Sequence, residues 1–173
     1  MKKHSAGLVV YRRRIDGVEV FLTHPGGPFF VKKDVWGIPK GEYEDEDPLK
    51  AARREFQEEI GQAAPQGKTI DLGEIKRSDG KIIKAWAVEG NPDAAAINSN
   101  LFDLEWPPRS AKIQQFPEVD KAKWFKLDHA SGKLHKGQEV FIQRLAEALG
   151  IDIDSIEPGP GQPHEQPSQG SLF

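Results

Sequence analysis

Residues 41–61 read GEYEDEDPLKAARREFQEEIG, and this stretch decides how the rest of the chain is interpreted. Asp47-Pro48 predicts a helix start, because an aspartate side chain accepts from the free amides of a first turn and proline suits the first helical position. We expect the helix to run to about Ile60 and to end at Gly61, a common C-terminal stop. At about 100° per residue, its apolar side chains form one stripe that should face the core: Leu49, Ala52, Phe56 and Ile60.

Three glutamates fall together on a different face of this helix: Glu55, Glu58 and Glu59. Residues three and four apart are helix neighbours, so the like-charged pair Glu55 and Glu59 should cost an isolated helix roughly a few tenths of a kcal/mol. Arg53 and Arg54 are expected to point elsewhere. The patch is therefore either a solvated acidic face or a binding site for a divalent cation. The second interpretation follows from the preference of Mg²⁺ and Mn²⁺ for carboxylate oxygens.

The rest of the chain is predicted to form short strands and one further helix. The apolar spacing across Gln138–Leu149 is typical of an amphipathic helix. A strand over 35–38 is expected to end at Pro39 and Gly41, with an acidic loop over 42–47. Many short strands with one early and one late helix indicate an α+β or α/β sandwich, and they leave the topology open. The predicted strands cover residues 6–11, 18–23, 35–38, 70–76, 82–88, 101–106 and 122–127.

The overall composition narrows the class of protein. The chain has 173 residues and a formal net charge of −3, which favours one domain and gives no reason to expect duplex nucleic acid or an anionic membrane as partner. It has no cysteine, which excludes disulfides, thiolate metal sites and a cysteine nucleophile. No apolar run approaches the roughly 18 residues of a membrane span, and the N-terminus lacks the apolar core of a signal peptide, so we expect a cytoplasmic protein.

We predict one domain over residues 1–150 and a tail over 151–173. From Pro158 onward the tail consists mainly of Pro, Gly, Gln and Ser, which is typical of disorder. The alternative is a tail that docks on a neighbouring subunit, as in a homodimer.

Residues 41–61 resemble the signature of the Nudix hydrolase family. That signature is Gly, five residues, Glu, seven residues, Arg-Glu, an apolar residue, any residue, Glu-Glu, any residue, Gly and an apolar residue. This chain supplies Glu46, seven residues and then REFQEEIG over 54–61, preceded by WGIPKG over 36–41. It departs in two places, because only four residues separate Gly41 from Glu46 and Gln62 occupies the last apolar position. The resemblance extends over roughly residues 4–150.

The resemblance implies a fold and a metal site. The expected fold is an α/β/α sandwich with a mixed central sheet, in which the signature forms a loop–helix–loop. The backbone carbonyl of Gly41 is expected to join the helix glutamates around Mg²⁺, for which Mn²⁺ is the substitute: Glu55, Glu58 and Glu59. Many members recruit one further carboxylate from a distant loop. Glu118 fits that role, with Asp120 as the second choice and a plain surface loop as the alternative.

Other residues are candidates to orient the ligands or to bind substrate. The resemblance implies that Arg54 fixes the metal-binding carboxylates, with Glu46 as its partner. Lys40 is a candidate to reach a substrate phosphate, and the alternative is an exposed lysine. Trp106 is a candidate to stack on a base and Arg109 to line the pocket, with loop packing as the alternative for both.

One histidine stands out by its setting. His24 lies in a His-Pro-Gly-Gly-Pro loop upstream of the signature, so it is a candidate substrate contact. A lone histidine is more often structural, and that is the competing interpretation.

The implied reaction is hydrolysis of a phosphoanhydride bond in a nucleoside-diphosphate-linked substrate. Glu55 and Glu118 are both candidates to remove the proton of a metal-bound water, and no covalent enzyme intermediate is required. We expect a small-molecule nucleotide as partner and favour nucleoside or dinucleoside polyphosphates. The alternatives are a nucleotide-sugar or ADP-ribose pyrophosphatase and a non-catalytic nucleotide-binding module. Such modules usually lose signature glutamates, and this chain keeps them all.

Overall fold

Eight strands and three helices follow one another in residues 3–153, the part of the chain that the computed structural model describes. The predicted tail lies outside this part beyond residue 153. No helix within 3–153 combines the length and the apolar character that crossing a bilayer requires. The elements are β1 (His4–Arg14), β2 (Gly17–Pro25), β3 (Lys40–Tyr43), α1 (Pro48–Ile60), β4 (Thr69–Lys76), β5 (Ile82–Glu89), β6 (Leu101–Glu105), β7 (Ile113–Pro117), β8 (Val119–Lys126), α2 (Leu127–Lys133) and α3 (Glu139–Leu149).

The central sheet is mixed. Its strand order is β4-β5-β1-β2-β8, and the short β3 pairs with the first half of β1. Strands β1 and β5 are parallel, whereas the other neighbours in this sheet are antiparallel. Strands β6 and β7 form a separate two-stranded hairpin. Because β3 joins β1 at its beginning, the residues that precede α1 are tied to the middle of the sheet.

Each face of the sheet carries its own apolar core, because side chains alternate along a strand. In β1, Leu8 and Val10 are buried on the α1 side, and Val9 and Tyr11 are buried on the side of α2 and α3. The expected α/β/α sandwich with a mixed central sheet is thereby confirmed. The helices complete the two cores with fully buried side chains: Phe56 and Ile60 from α1, and Phe141, Ile142 and Leu145 from α3.

Helix α1 begins and ends where the sequence predicts, because both of its caps are local. Asp47 Oδ1 accepts a hydrogen bond from the Lys50 N–H at 3.0 Å. Gly61 adopts a φ of 75° and its N–H donates to the Gln57 carbonyl at 2.8 Å, the left-handed cap that glycine favours. Burying Phe56 completely contributes about 1.5–3 kcal/mol, so the apolar stripe holds the glutamate face in a fixed orientation.

The strand predicted over 35–38 is wrong. Trp36 and Gly37 form only isolated bridges, with Leu134 and Thr23 respectively. The strand lies after Pro39 instead, where β3 occupies part of the predicted acidic loop. Its partner is the start of β1, far away in sequence, and β3 itself has no buried apolar residue that could mark it.

Two elements have no counterpart in the sequence prediction. Strand β7 is mostly exposed and pairs only with β6, so it lacks the alternation that marks a half-buried strand. Helix α2 follows β8 without a loop, and the residue before it, Lys126, makes no side-chain capping bond. Strand β8 itself begins at Val119, earlier than predicted, and ends before Leu127.

Candidate active site

Glycine at position 41 brings β3 against the glutamate face of α1. A Cβ built on Gly41 would lie 2.5 Å from Glu55 Oε1 and closer still to Oε2, so only glycine leaves room for this carboxylate. Glu55 is accordingly buried although it is charged. The Gly41 backbone and the Glu55 carboxylate therefore lie side by side, as the predicted ligand set requires.

Arg54 connects the carboxylates of the loop and of the helix. Its Nη2 lies 2.5 Å from Glu46 Oε1, and its Nη1 donates to Glu55 Oε1 at 2.8 Å and to Glu58 Oε1 at 3.1 Å. The expectation that Arg54 points away from the glutamate patch is wrong. Its long side chain extends along the helix and reaches Glu58, four residues further on. The bond to Glu46, together with those to Glu58 and Glu55, raises the pKa of Arg54, so the guanidinium stays charged. The shortened loop between Gly41 and Glu46 does not prevent this pairing.

Glu59 occupies the other side of the helix face, next to Lys40. Burial raises the pKa of Glu59 well above its ordinary value, while the Lys40 ammonium opposes that rise. The neighbouring carboxylates Glu55 and Glu118 raise it further. Lys40 responds in the opposite sense, because burial lowers its pKa and Glu59 raises it. Both side chains line the wall of one cleft, where each affects the pKa of the other.

Glu118 lies at the junction of β7 and β8, facing the helix glutamates. Its backbone is fixed on both sides: its N–H donates to the Asn100 carbonyl at 2.9 Å, and its carbonyl accepts from the Gly26 N–H at 2.9 Å. Asn100 in turn donates its N–H to the Glu58 carbonyl at 3.0 Å. Burial, followed by the charge of Glu58, raises the pKa of the Glu118 carboxyl. No sequence pattern indicates Asn100, because its role depends on two backbone contacts.

Gln62, the second departure from the signature, anchors a loop. Its Nε2 donates to the Asp93 carbonyl at 2.8 Å and its Oε1 accepts from the Asp93 N–H at 2.9 Å. Further along the same loop, the Asn98 N–H donates to the Ile60 carbonyl at 2.8 Å. The polar residue at position 62 thus fixes the segment that leads to Asn100.

The donor chemistry of this cluster fits a hard divalent cation. Carboxylates and a backbone carbonyl are the oxygen ligands that Mg²⁺ takes in proteins. Burial raises the pKa of Glu55, and both Glu58 and Glu118 raise it further, so the cluster holds negative charge that Arg54 only partly offsets. Within residues 3–153, no three Asp, Glu, His or Cys side chains already stand close enough together to hold a metal ion. The side chains would converge around the ion on binding, which their repulsion otherwise opposes.

A cleft of about 180 Å³ opens beside these carboxylates. Lys40, Glu59 and Glu118 contribute to its charged part. Trp36 and Ile38 contribute apolar walls. Sequence reasoning assigned no site role to most of the lining residues, among them Phe30, His135 and Gln138.

The predicted base-stacking and pocket-lining residues lie elsewhere. Trp106 packs edge-on against Phe29, with ring centroids 5.3 Å apart, near the tip of the β6–β7 hairpin. Arg109 is exposed, with a φ of 62°, and its N–H donates to Glu105 Oε1 at 2.6 Å. Neither residue lines the cleft described above. The loop-packing interpretation describes both positions.

His24 is structural in this fold. The side chain is 1% exposed, with Nδ1 2.7 Å from Asp120 Oδ1 and Nε2 2.5 Å from the Lys33 carbonyl oxygen. Both ring nitrogens are therefore occupied by protein atoms. Because Asp120 is bonded to His24, Glu118 is the carboxylate of this loop that faces the α1 glutamates.

Comparison with known proteins shows which family model matches the chain. A family model described as the NUDIX domain matches residues 1–145, and no curated protein matches the chain. A C. elegans Ap4A hydrolase complex is similar in structure, with a TM-score of 0.59, 22% identity, and coverage of 84% of this chain and 98% of that one.

Two further solved structures share the fold. The NUDIX domain of Shewanella oneidensis NrtR, complexed with ADP ribose, has a TM-score of 0.59 and 16% identity, and the match covers 86% of this chain and 89% of that one. The M. smegmatis Nudix hydrolase RenU has a TM-score of 0.53 and 21% identity, with 86% of each chain covered. Members of this family generally use divalent metal ions. The family model spans most of the chain, and the chain therefore belongs to the Nudix family of pyrophosphohydrolases.

Proposed function

We propose that this chain hydrolyses a phosphoanhydride bond in a nucleoside or dinucleoside polyphosphate, with Mg²⁺ held by the glutamates of α1. The observation that carries the proposal is a group of carboxylates at and beside the cleft, each with a raised pKa: Glu55, Glu59 and Glu118. Glu59 and Glu118 line the cleft together with Lys40, and the Glu55 carboxylate lies against Gly41. Excess negative charge in a partly buried site is what a bound metal–polyphosphate complex would neutralise.

The proposed ligands come from two directions. The Gly41 carbonyl and the helix glutamates approach from the β3–α1 side, and Glu118 approaches from the β7–β8 junction. Arg54 keeps the carboxylates of Glu55 and Glu58 in place through its hydrogen bonds. Mg²⁺, or Mn²⁺ as its substitute, would supply charge neutralisation at the diphosphate and lower the pKa of a water ligand.

Glu118 is the better candidate for the general base. Within residues 3–153 its carboxylate accepts no hydrogen bond, so an oxygen that does not bind the metal is available to a water molecule. Glu55, the other candidate, already accepts from Arg54 Nη1. Burial favours the protonated form of Glu118, which suits a group that must take up a proton near neutral pH.

Lys40 is the proposed phosphate-binding residue. Lys40 and Glu59 both line the cleft wall. Lys40 also directly precedes Gly41, a proposed metal ligand, in the sequence. Its ammonium group would neutralise phosphate oxygens that the metal does not reach. A substitution at Lys40 should therefore raise the KM for the nucleotide more than it lowers kcat.

The substrate class is inferred by analogy. The similar C. elegans protein is an Ap4A hydrolase, which favours a dinucleoside polyphosphate, and the similar NrtR domain binds ADP ribose, which keeps the ADP-ribose and nucleotide-sugar class as the alternative. A small-molecule nucleotide is the proposed partner in either case. The homodimer and the cytoplasmic location remain predictions.

The test is a substrate panel with a matched pair of variants. Purified protein is incubated with Mg²⁺ and nucleoside triphosphates, dinucleoside polyphosphates, nucleotide sugars or ADP-ribose, and phosphate products are quantified. Turnover should require the metal and should collapse in Glu59→Gln. The control is Glu147→Gln, the same chemical change at an exposed position of α3. Metal-independent turnover would contradict the proposed metal site. No turnover of any compound, while one of them binds tightly, would favour the binding-module alternative.

A further inference from the structure

One buried side chain of the cleft, that of Gln138, has a hydrogen-bonded oxygen and a nitrogen that makes no hydrogen bond to the described residues. Gln138 is 4% exposed, and its Oε1 accepts from the Ile38 N–H at 3.0 Å. Its Nε2 donates to no protein atom in residues 3–153. The only fully buried side-chain nitrogen or oxygen without a partner in this range is Arg53 Nε, so Gln138 Nε2 is not sealed away. It lies at the wall of the cleft.

The orientation of the Gln138 amide is fixed by its partner. A backbone N–H can only be satisfied by an acceptor, so the oxygen must face Ile38 and the nitrogen must face away from it. The Gly37 backbone packs against the Gln138 amide, because a Cβ built on Gly37 would lie 3.3 Å from Oε1 and 3.7 Å from Nε2. The two N–H groups therefore point in a defined direction rather than sampling several.

The surrounding backbone is rigid. The Trp36 N–H donates to the Lys133 carbonyl at 2.9 Å, and the His135 N–H donates to the Trp36 carbonyl at 2.7 Å. Thr23 and Gly37 exchange a pair of backbone hydrogen bonds at 2.8 and 2.9 Å. A buried donor held this firmly is unfavourable unless water or a ligand accepts its hydrogen bond.

The walls near Gln138 suit a flat ring. Trp36 and Ile38 are nearly buried, and Phe30 and Val35 extend the apolar surface of the same cleft. An apolar wall beside a few well-placed polar groups is typical of a site that orients a small ligand. The charged residues of the cleft would take the phosphate end of a nucleotide, which leaves the apolar part for its base.

We propose that Gln138 is a specificity-determining residue whose Nε2 donates to a carbonyl oxygen of the nucleobase, so that keto bases are preferred over amino bases. This inference rests on the proposed function. Glutamine pairs with adenine through both its oxygen and its nitrogen, but here Oε1 is already engaged by Ile38. A donor that faces an exocyclic amino group would remain unsatisfied, whereas a keto oxygen at the same place accepts its hydrogen bond.

The first test compares inosine triphosphate with adenosine triphosphate in the unaltered protein. The six-membered rings differ in a keto against an amino group at one carbon and in the hydrogen that the keto ring carries on the adjacent nitrogen. We expect kcat/KM for the keto compound to be roughly tenfold higher, the size of one net hydrogen bond. The difference should lie in KM, because the base is remote from the reacting phosphorus.

The second test uses Gln138→Glu, which keeps an oxygen for the Ile38 N–H and replaces the amide nitrogen by another acceptor. The preference for inosine triphosphate should fall to unity or reverse. Gln143→Glu, the same change at an exposed position of α3, should leave the preference as it is. If Gln138→Glu folds poorly, Gln138→Met also removes the donor and should abolish the preference.

Binding measurements separate this inference from the proposed function. Calorimetric titration of both nucleotides into the metal-loaded protein reports the same preference without requiring turnover. Tighter binding of inosine triphosphate that Gln138→Glu removes would support the inference even if nothing is hydrolysed. Equal binding of the two nucleotides, a preference that survives Gln138→Glu, or binding of neither nucleotide would overturn it.

Discussion

Helices α1 and α3 pack on opposite faces of one sheet, yet they use the residue before their first turn differently. The side chain of Asp47 caps α1 by accepting from the Lys50 N–H. Gln138 stands at the same position of α3, but its side chain makes no capping bond because Oε1 is bonded to Ile38. In α1 the residue at the N-terminal end stabilises the helix, and one face of the helix carries the glutamates. In α3 the residue at the N-terminal end lines the cleft instead, and the helix has no side-chain cap.

The largest effect that tests this comparison is expected from Glu59→Gln. If the flank of α1 carries the chemistry, turnover should fall by roughly 10³-fold or more, because charge stabilisation at the reacting phosphate is lost. The melting temperature of the metal-free protein should not fall, since a desolvated carboxylate has been removed. Steady-state kinetics and a thermal melt measure the two. A small kinetic effect with a large loss of stability would place Glu59 among structural residues.

Truncation of one buried phenylalanine on each of the two helices should sharpen the comparison. Phe56→Ala and Phe141→Ala each remove a fully buried ring and should each lower the free energy of unfolding by about 3–5 kcal/mol, as measured in urea. The kinetic consequences should differ in the milder Phe→Leu variants. The α1 variant should need more Mg²⁺ for half-maximal rate, whereas the α3 variant should mainly raise the nucleotide KM. Identical kinetic profiles would contradict a division of labour between the helices.

An intermediate effect is expected from Gly41→Ala. The added methyl group would collide with the Glu55 carboxylate, so one proposed ligand must move. We expect a loss of roughly 10- to 100-fold in kcat/KM, and a higher Mg²⁺ requirement. Gly132→Ala is the matched control, because a Cβ there meets nothing within 4 Å. Full activity of Gly41→Ala would show that Glu55 does not act from this position.

The smallest effect is expected from Asp47→Ala. Loss of the α1 cap should lower stability by about 1 kcal/mol, and about 2–4 °C in melting temperature for a chain of this size. Because the side chain serves only the helix end, kcat and KM should be unchanged in protein that is folded at the assay temperature. A change in the kinetic constants would mean that the cap also positions the glutamates.

What the sequence predicted well depends on local chemistry. The bounds of α1 follow from Asp47, Pro48 and Gly61, all of which act on neighbouring backbone groups. The same holds for the glutamate face, which follows from helix spacing alone. The family resemblance added Gly41, whose carbonyl no pattern of side chains could have indicated.

What the sequence did not predict depends on contacts between distant segments. Gln138 reads as the ordinary start of an amphipathic helix, and only the fold brings Ile38 to it. Strand β3 forms because it pairs with the beginning of β1, which is distant in sequence. Trp106 is a base-stacking candidate by its residue type, but its partner Phe29 lies in a loop that no local pattern connects to it.

The hairpin between Asn100 and Glu118 is closed at its base. Leu101 pairs with Pro117, and the Glu118 N–H donates to the Asn100 carbonyl at 2.9 Å, so the chain leaves and re-enters the domain at one point. A loop whose ends already touch can be lengthened, shortened or exchanged with little entropic penalty. The length of the hairpin over 101–117 can therefore vary at little entropic cost while the backbone of Glu118 keeps its place.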